Sequence, residues 1–499
     1  MLGAGESLDA AEARLWEGRG LRASVRLDEA VACLTKAADD LQGEPGAKER
    51  DLLGEVLLTL GDCLVDNNQA AAAVLIADKM RTLALPVPAD PVAADRLAFH
   101  AARSGYVRGR ALFLLDEDER AREALDTYQN GVEAISRRHP ENVIWTAALA
   151  ESWNHAAYAA AGREDYKTEL EAYRKAHELS RQLCSRDPSN VSWFRELSLS
   201  YRCLAGSLAR LGRTQESLAE VQNYLTTCRP ILSRAGASPV ENRELAEGLR
   251  EIAVLMQGFE DPVQAIALHQ QAIELCLALI RSEPWNDRNF WGFCESVEAC
   301  AGLATHANPP TNAKAVFQKW IDFAHNEASA RTESGAAWRD AEASLYARCC
   351  GQLQSEHDML GAADQMSQAV KLREVNLSVN SKSAKALSSS FMWLTDAQIR
   401  AHRTEAAIAT VDRHVSLWEQ RFGAAGPHLP GAYDLVKAGS LLKRVLDNGE
   451  HGIEVQALAS RILALIDLPD ASESDLNRLK HLSELRLLAP PPTQAAPPL

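Results

Sequence analysis

Cys294, Cys300 and His306 come nearest to a metal-ligand triplet in this 499-residue sequence, and their spacing argues against one. Steps of six residues on a helix rotate successive side chains by about 240°, so the three cannot converge on one ion. Cys349-Cys350 should point to different sides of a helix, which predicts one buried and one partly exposed thiol. The 13 histidines are scattered, with no carboxylate or cysteine at a metal or catalytic spacing. Gly18-Arg19-Gly20-Leu21-Arg22-Ala23 spells a dinucleotide-binding pattern in letters. That pattern needs a preceding strand, and here a helical segment precedes it, so an inter-helix turn is expected. No G-x-x-x-x-G-K-[ST] loop, G-x-S-x-G elbow, H-E-x-x-H or kinase-type HRD and DFG set occurs. These residues predict no catalytic group, no metal and no cofactor.

Two other features invite a functional reading. Asp116-Glu117-Asp118-Glu119 could bind a cation or dock a basic partner. Carboxylates also cap free N–H groups and oppose the positive end of a helix dipole, so a helix start is the expectation here. Trp145 and Trp193 could stack on a ligand, but they recur at a fixed interval, which makes them packing residues between repeats.

That interval organises the chain. At a shift of 48 residues, Pro140, Pro188 and Pro284 fall at multiples of the period, as do Asn142, Asn190 and Asn286. Leu149, Leu197, Leu245 and Phe293 form one apolar column; Ala156, Leu204, Ile252 and Cys300 form another. Such self-similarity marks a solenoid, whose units bury their apolar faces on one another. Each unit reads as two helices. Trp145, Leu149, Ala156 and Ala160 share one helical face; Leu170, Tyr173, Ala176, Leu179 and Leu183 share another. Turns are expected at Ala161-Gly162-Arg163 and Leu211-Gly212-Arg213, with Asp261 capping a helix that begins at Pro262. Units end at His139-Pro140, Asp187-Pro188 and Glu283-Pro284, because proline disfavours helix in the residue before it.

Asp187-Pro188-Ser189-Asn190, Trp193, Leu197-Ser198, Ser200-Tyr201, Leu204 and Gly212 resemble bacterial tetratricopeptide (TPR) repeats of the long type. The resemblance covers roughly 119–305 and implies an all-α, right-handed superhelical solenoid of antiparallel helix pairs that binds proteins. Ala157 and Ala205 stand where the family often has glycine, a position that only requires a small residue. Pro230 should make the local geometry irregular. Degenerate repeats are expected over 1–118, with pairs 24–42/48–66 and 69–84/92–115. They recur over 313–470, with pairs 338–357/361–378, 383–401/405–421 and 430–448/451–466. Ser378-Val379-Asn380 and Trp393 weakly echo the repeat's loop and its tryptophan. A capping helix is expected over 471–489 and a disordered proline-rich tail over 490–499. The best internal boundary is 305–313.

Composition limits the partners. With 53 basic and 68 acidic residues the net charge is −15, which argues against nucleic acid and against anionic membrane. No secretory signal and no run of about 18 apolar residues is visible, and ten scattered cysteines suit reduced thiols, so a cytoplasmic protein is expected. Columns that stay polar within the first helix of each pair are informative, since packing does not require them. One runs Asn154, Arg202, Arg250, Glu298; another, three residues earlier, runs Glu151, Leu199, Glu247, Glu295. By the TPR resemblance both fall on the groove side, where a protein or peptide partner would lie. Charge reversal at Arg202 and Arg250 is then expected to weaken capture without loss of helix. A non-enzymatic scaffold is the leading expectation. The alternatives are a detached regulatory or sensor component of a signalling system, and an enzyme with a through-space site in 313–470.

Overall fold

The computed structural model describes residues 4–41, 46–234, 237–259, 261–305, 312–331, 334–377, 381–422, 432–446, 451–465 and 476–488. Among these residues the regular structure is helical throughout. Two units divide the chain, at Phe259. The first contains α1 (Ala4–Ala23), α2 (Leu27–Asp40), α3 (Ala47–Asp66), α4 (Ala70–Thr82), α5 (Pro91–Leu114) and α6 (Asp118–Arg138). It continues through α7 (Val143–Ala161), α8 (Tyr166–Arg186), α9 (Val191–Arg210), α10 (Thr214–Thr227), the single turn α11 (Arg229–Leu232) and α12 (Pro239–Gly258). The second contains α13 (Pro262–Ser282), α14 (Asp287–Ala304), α15 (Ala313–Ala330), α16 (Gly335–Ser355), α17 (Met359–Val375) and α18 (Ser381–Arg400). After these come α19 (Thr404–Phe422), α20 (Ala432–Leu441), α21 (Lys443–Leu446), α22 (Gly452–Leu465) and α23 (Leu476–Leu488).

In each unit successive helices pack as antiparallel neighbours, and first helices also touch first helices: α1 on α3, α3 on α5, α9 on α12, α14 on α16. The repeating columns supply this packing. Leu197, Leu245 and Phe293 are buried, as are Leu204, Ile252 and Cys300. Each fully buried aliphatic side chain contributes roughly 1.5–3 kcal/mol by removal from water. Ala157 and Ala205 are also fully buried, so the small-residue position is used for close approach. The recurring asparagines are N-caps. Asn142 accepts from the N–H groups of Ile144 and Trp145, Asn190 from Trp193 and Asn286 from Arg288. Asp261 caps α13 as expected, accepting from Gln264 with Pro262 in the first turn. Pro230 ends α10 at Thr227 and starts α11, since it offers no N–H and crowds the preceding turn.

A second period-48 column lies in the backbone. Asn68, Asp116, Glu164 and Gly212 have φ of 58°, 58°, 59° and 70°, each at the turn joining the two helices of a pair. Val25, His357 and His402 take the same left-handed conformation at the corresponding turns. Only glycine enters that region without strain.

Several expectations need correction. Gly18 and Gly20 lie inside α1, not in a turn. A Cβ at Gly18 would stand 2.5 Å from Leu34, so glycine there permits close contact with α2. Cys349 and Cys350 are both buried, because α16 is covered by α15 on one side and α17 on the other. Glu117 makes no side-chain cap bond at the start of α6, although Asp118 and Glu119 occupy its first turn. Trp393 does not take the packing role. Trp338 does, buried against Phe290, Phe293 and Phe323 with ring centroids 5.2–6.0 Å apart. His306, the loop 378–380, residues 471–475 and the tail 490–499 lie outside the described residues. So does most of the 305–313 segment.

The left-handed column generates a prediction. Glu164→Gly should stabilise the chain by about 0.5–1 kcal/mol, and Gly212→Ala should destabilise it by about 1–2 kcal/mol. Urea denaturation followed by circular dichroism reads both, and equal midpoints for the two variants would contradict the strain argument.

Candidate functional site

Charged side chains on the first helices of the N-terminal unit form a ladder from pair to pair. Asp62 and Asp66 stand four residues apart on α3 and so share a face. Arg22 of α1 meets them at 2.9 Å from one side, and Arg110 of α5 meets them at 2.8 Å from the other. Burial pushes the Asp62 carboxyl up despite the two guanidinium groups. Further along, Arg103 of α5 lies 3.2 Å from Glu151 of α7 and stands over the rings of Tyr106 and Tyr128. The Tyr128 hydroxyl donates to Glu151 at 2.9 Å. Burial alone would raise the Glu151 carboxyl, but Arg103, His155 and that hydroxyl outweigh it and hold the carboxyl below its ordinary value.

On α9, Arg202 is 5% exposed and pairs with Glu244 at 2.7 Å and Glu251 at 2.9 Å, both on α12. Burial works against its charge; the two carboxylates restore it. Glu196 projects from the same helix with its side chain still partly in solvent. Desolvation first, then Glu151 and Glu244, push its carboxyl up to about 7, against the opposing pull of Arg195 and Arg202.

In the second unit the first helices α14, α16 and α18, with α17 behind them, surround a cavity of about 580 Å³. Its wall is mostly apolar, with Phe290, Ala341 and Met366 among the lining residues. Trp291 and Trp393 also line it, and they remain 54% and 46% exposed. Glu298 and Arg348 form an ion pair across it, from α14 to α16. Arg373 enters from α17. It donates to the Ser390 hydroxyl, to the Ala386 carbonyl at 3.3 Å and to the Ser344 hydroxyl at 3.2 Å. Burial lowers its affinity for the proton, and Asp340 only partly offsets this.

The groove residues expected from sequence therefore have different surroundings. Glu151 and Arg202 sit in ion-pair clusters, so charge reversal at Arg202 would act on folding before it acted on a partner. Asn154 is half-buried, and its Oδ1 has no hydrogen-bond partner. Glu247 is exposed on α12, while Arg250 and Glu295 are half-buried. Glu298 lines the cavity. Sequence reasoning missed Arg103 and Tyr106, which stand one period of 48 before Glu151 and Asn154. Extending the polar columns one unit N-terminally would have found them. It also missed Arg373, which sits on a second helix, where the column argument does not reach. Among the described residues, no three of His, Cys, Asp and Glu gather as a metal-ligand set.

No family model matches the chain, and no curated protein matches it. Solved structures do. The apo form of RapI is 10% identical, with 79% of this chain and 98% of that chain covered and a TM-score of 0.41. The apo form of the quorum sensor NprR from B. thuringiensis is 13% identical, with 81% and 98% covered and a TM-score of 0.40. The C-terminal part of a TPR repeat-containing protein from Cytophaga hutchinsonii is 13% identical, with 66% and 99% covered and a TM-score of 0.30. The all-helical architecture of stacked helix pairs rests on this chain's own helices and their packing.

The ladder carries two predictions. Arg202→Met leaves Glu244 and Glu251 facing each other and should cost about 3 kcal/mol in chemical denaturation. A loss under ~0.5 kcal/mol would show that the pair is not structural. Glu196, whose folded value lies above its ordinary 4.5, binds its proton more tightly folded than unfolded. Stability should therefore fall slightly as pH rises from about 4.5 to about 7, then level off, the change being kept small by the solvent contact of the side chain. Glu196→Gln should raise the melting temperature at pH 8 and have no effect below pH 4.5. An equal gain at both pH values would rule out this titration.

Proposed function

We propose that this chain is a scaffold that holds a protein or peptide partner against its first helices, without catalysing a reaction. The observation that supports it most is the exposure of Trp291 and Trp393. A tryptophan half out of a helical face contributes little to folding and much to an interface, where aromatic side chains concentrate the binding energy. Glu298 and its neighbours in the same unit would supply a polar rim. Several shallow contacts along successive helices suit an extended segment or a folded domain better than one short acidic tail. Among the described residues no cysteine forms a disulfide, which suits the cytoplasmic setting of this reading. RapI and NprR share the architecture at low similarity, and they lend the proposal no weight of their own.

A sensor role is a second reading, favoured by the half-open cavity that the two tryptophans line. The paired groups in that cavity are carboxylate with guanidinium, and a guanidinium does not give up its proton at neutral pH. This supports ligand binding there more than acid–base catalysis.

Affinity capture from the native cell should recover partners with the wild-type chain that are lost with the Trp291→Ala/Trp393→Ala double variant. Circular dichroism of that variant should be unchanged. An identical set of captured proteins from both chains would remove this face from the proposal.

A further inference from the structure

The half-open cavity of the second unit is a slot. Ala337 and Gln354, which both line it, stand about 25 Å apart along α16 at a rise of 1.5 Å per residue. A round cavity of about 580 Å³ could not reach so far. Along α16 the lining includes Ala337, Ala341, Ala347 and Gly351, whose short side chains leave the slot uninterrupted. The charges on its wall are answered locally. Glu298 pairs with Arg348, and Asp340 with Arg373 at 3.7 Å. Asp287 sits in the first turn of α14, where the helix dipole favours a carboxylate. At the C-terminal end of α16, Gln354 Nε2 is buried and has no hydrogen-bond partner. Buried donors without acceptors are uncommon in native structures, so this one calls for an acceptor in the slot.

We propose that the slot holds the single alkyl chain of a neutral amphiphile, whose ester or amide carbonyl accepts from Gln354 Nε2. Three kinds of occupant have the necessary length, and bulk and polar groups separate them. A helix with its side chains is about 10–12 Å across, too bulky for about 580 Å³ drawn out over that length. An extended peptide is thinner but brings an N–H and a C=O with every residue. The helices of the wall have spent their own backbone groups, and Ser344 already accepts from Arg373. An alkyl chain needs no partners along its length and gains from leaving water at each methylene. The half-exposed Trp291 and Trp393 lose water against the same chain. The head is neutral because the Gln354 donor is neutral and the nearby Arg348 is held by Glu298. This rests on the ligand-binding reading of the cavity and is independent of protein capture.

Isothermal titration of the full-length chain with 1-monooctanoyl-, 1-monodecanoyl- and 1-monododecanoylglycerol, each below its micelle concentration, tests the slot. Saturable binding at one molecule per chain is expected, tightening at least about fourfold with each added pair of methylenes. Gly351→Leu puts a branched side chain into the slot. A Cβ at Gly351 meets nothing within 4 Å, and leucine favours helix over glycine, so this variant should melt no lower than wild type. It should bind the longest chain about tenfold more weakly or worse. Gln354→Met should weaken all three by a similar factor, about threefold to tenfold, and leave the dependence on chain length unchanged. Absence of saturable binding by all three would overturn the proposal, as would wild-type affinity in Gly351→Leu. An affinity that does not change along the series would overturn the alkyl occupant and leave the cavity to a ligand of other chemistry. The set of proteins captured from the native cell decides the scaffold reading separately.

Discussion

A helix pair of about 40 residues has more apolar surface than its two helices can cover for each other, so each pair must lie against the next. Everything else in this chain follows from that requirement. The columns containing Leu197 and Leu204 are buried because each pair presents them to a neighbour. Stacking equal units forces equal turns, and the backbone shows it. Asn68, Asp116, Glu164 and Gly212 share a left-handed φ although only one of them is glycine. The position is imposed by the stack and tolerated by the residue.

The same requirement explains why the first helices carry charges beside their apolar columns. A first helix touches its own partner and also the first helices before and after it, so part of its surface is narrowed without being closed. Charges placed there lose much of their hydration and need partners at hand. In the N-terminal unit those partners come from adjacent first helices. Arg22 and Arg110 hold Asp62 and Asp66 from either side, and Arg103 holds Glu151. These contacts fix the register of one pair on the next, which apolar packing alone leaves loose. Polar columns in such an array therefore have two uses, and a residue committed to register is not free to bind.

That distinction marks how far the sequence could be read. Helix positions were legible because period and proline placement depend on local rules: α16 to α19 fall within a few residues of their expected spans. So was the buried role of Trp145, which packs on Phe99 of the preceding pair. Whether a polar position faces solvent or a counter-charge was not legible, because the partner lies some 40–50 residues away. Arg202 and Glu247 look alike as polar entries in neighbouring columns, yet one is buried in ion pairs and the other exposed. Trp393, which weakly echoes the repeat's tryptophan, stays half exposed, and Trp338 is the one that is buried. Arg373 was invisible because it acts from a second helix through the gap between two first helices.

The two units spend their polar residues differently. In the first, the described guanidinium groups of the ladder are each met by carboxylates, and aromatic rings such as Tyr106 and Tyr128 are buried among them. The second keeps Trp291 and Trp393 half exposed and holds Arg373 with hydroxyls, a carbonyl and one looser ion pair, to Asp340 at 3.7 Å. A buried cation with a single carboxylate beyond hydrogen-bond range is weakly compensated, and an array under selection for stability alone would remove it or pair it more closely. Retaining it beside a cavity and two exposed tryptophans departs from the pattern that the rest of the chain obeys. Local departures of this kind are where function is expected, because stability does not account for them. The physical case for a ligand therefore rests on the second unit, and the first is better understood as the part that holds its own shape.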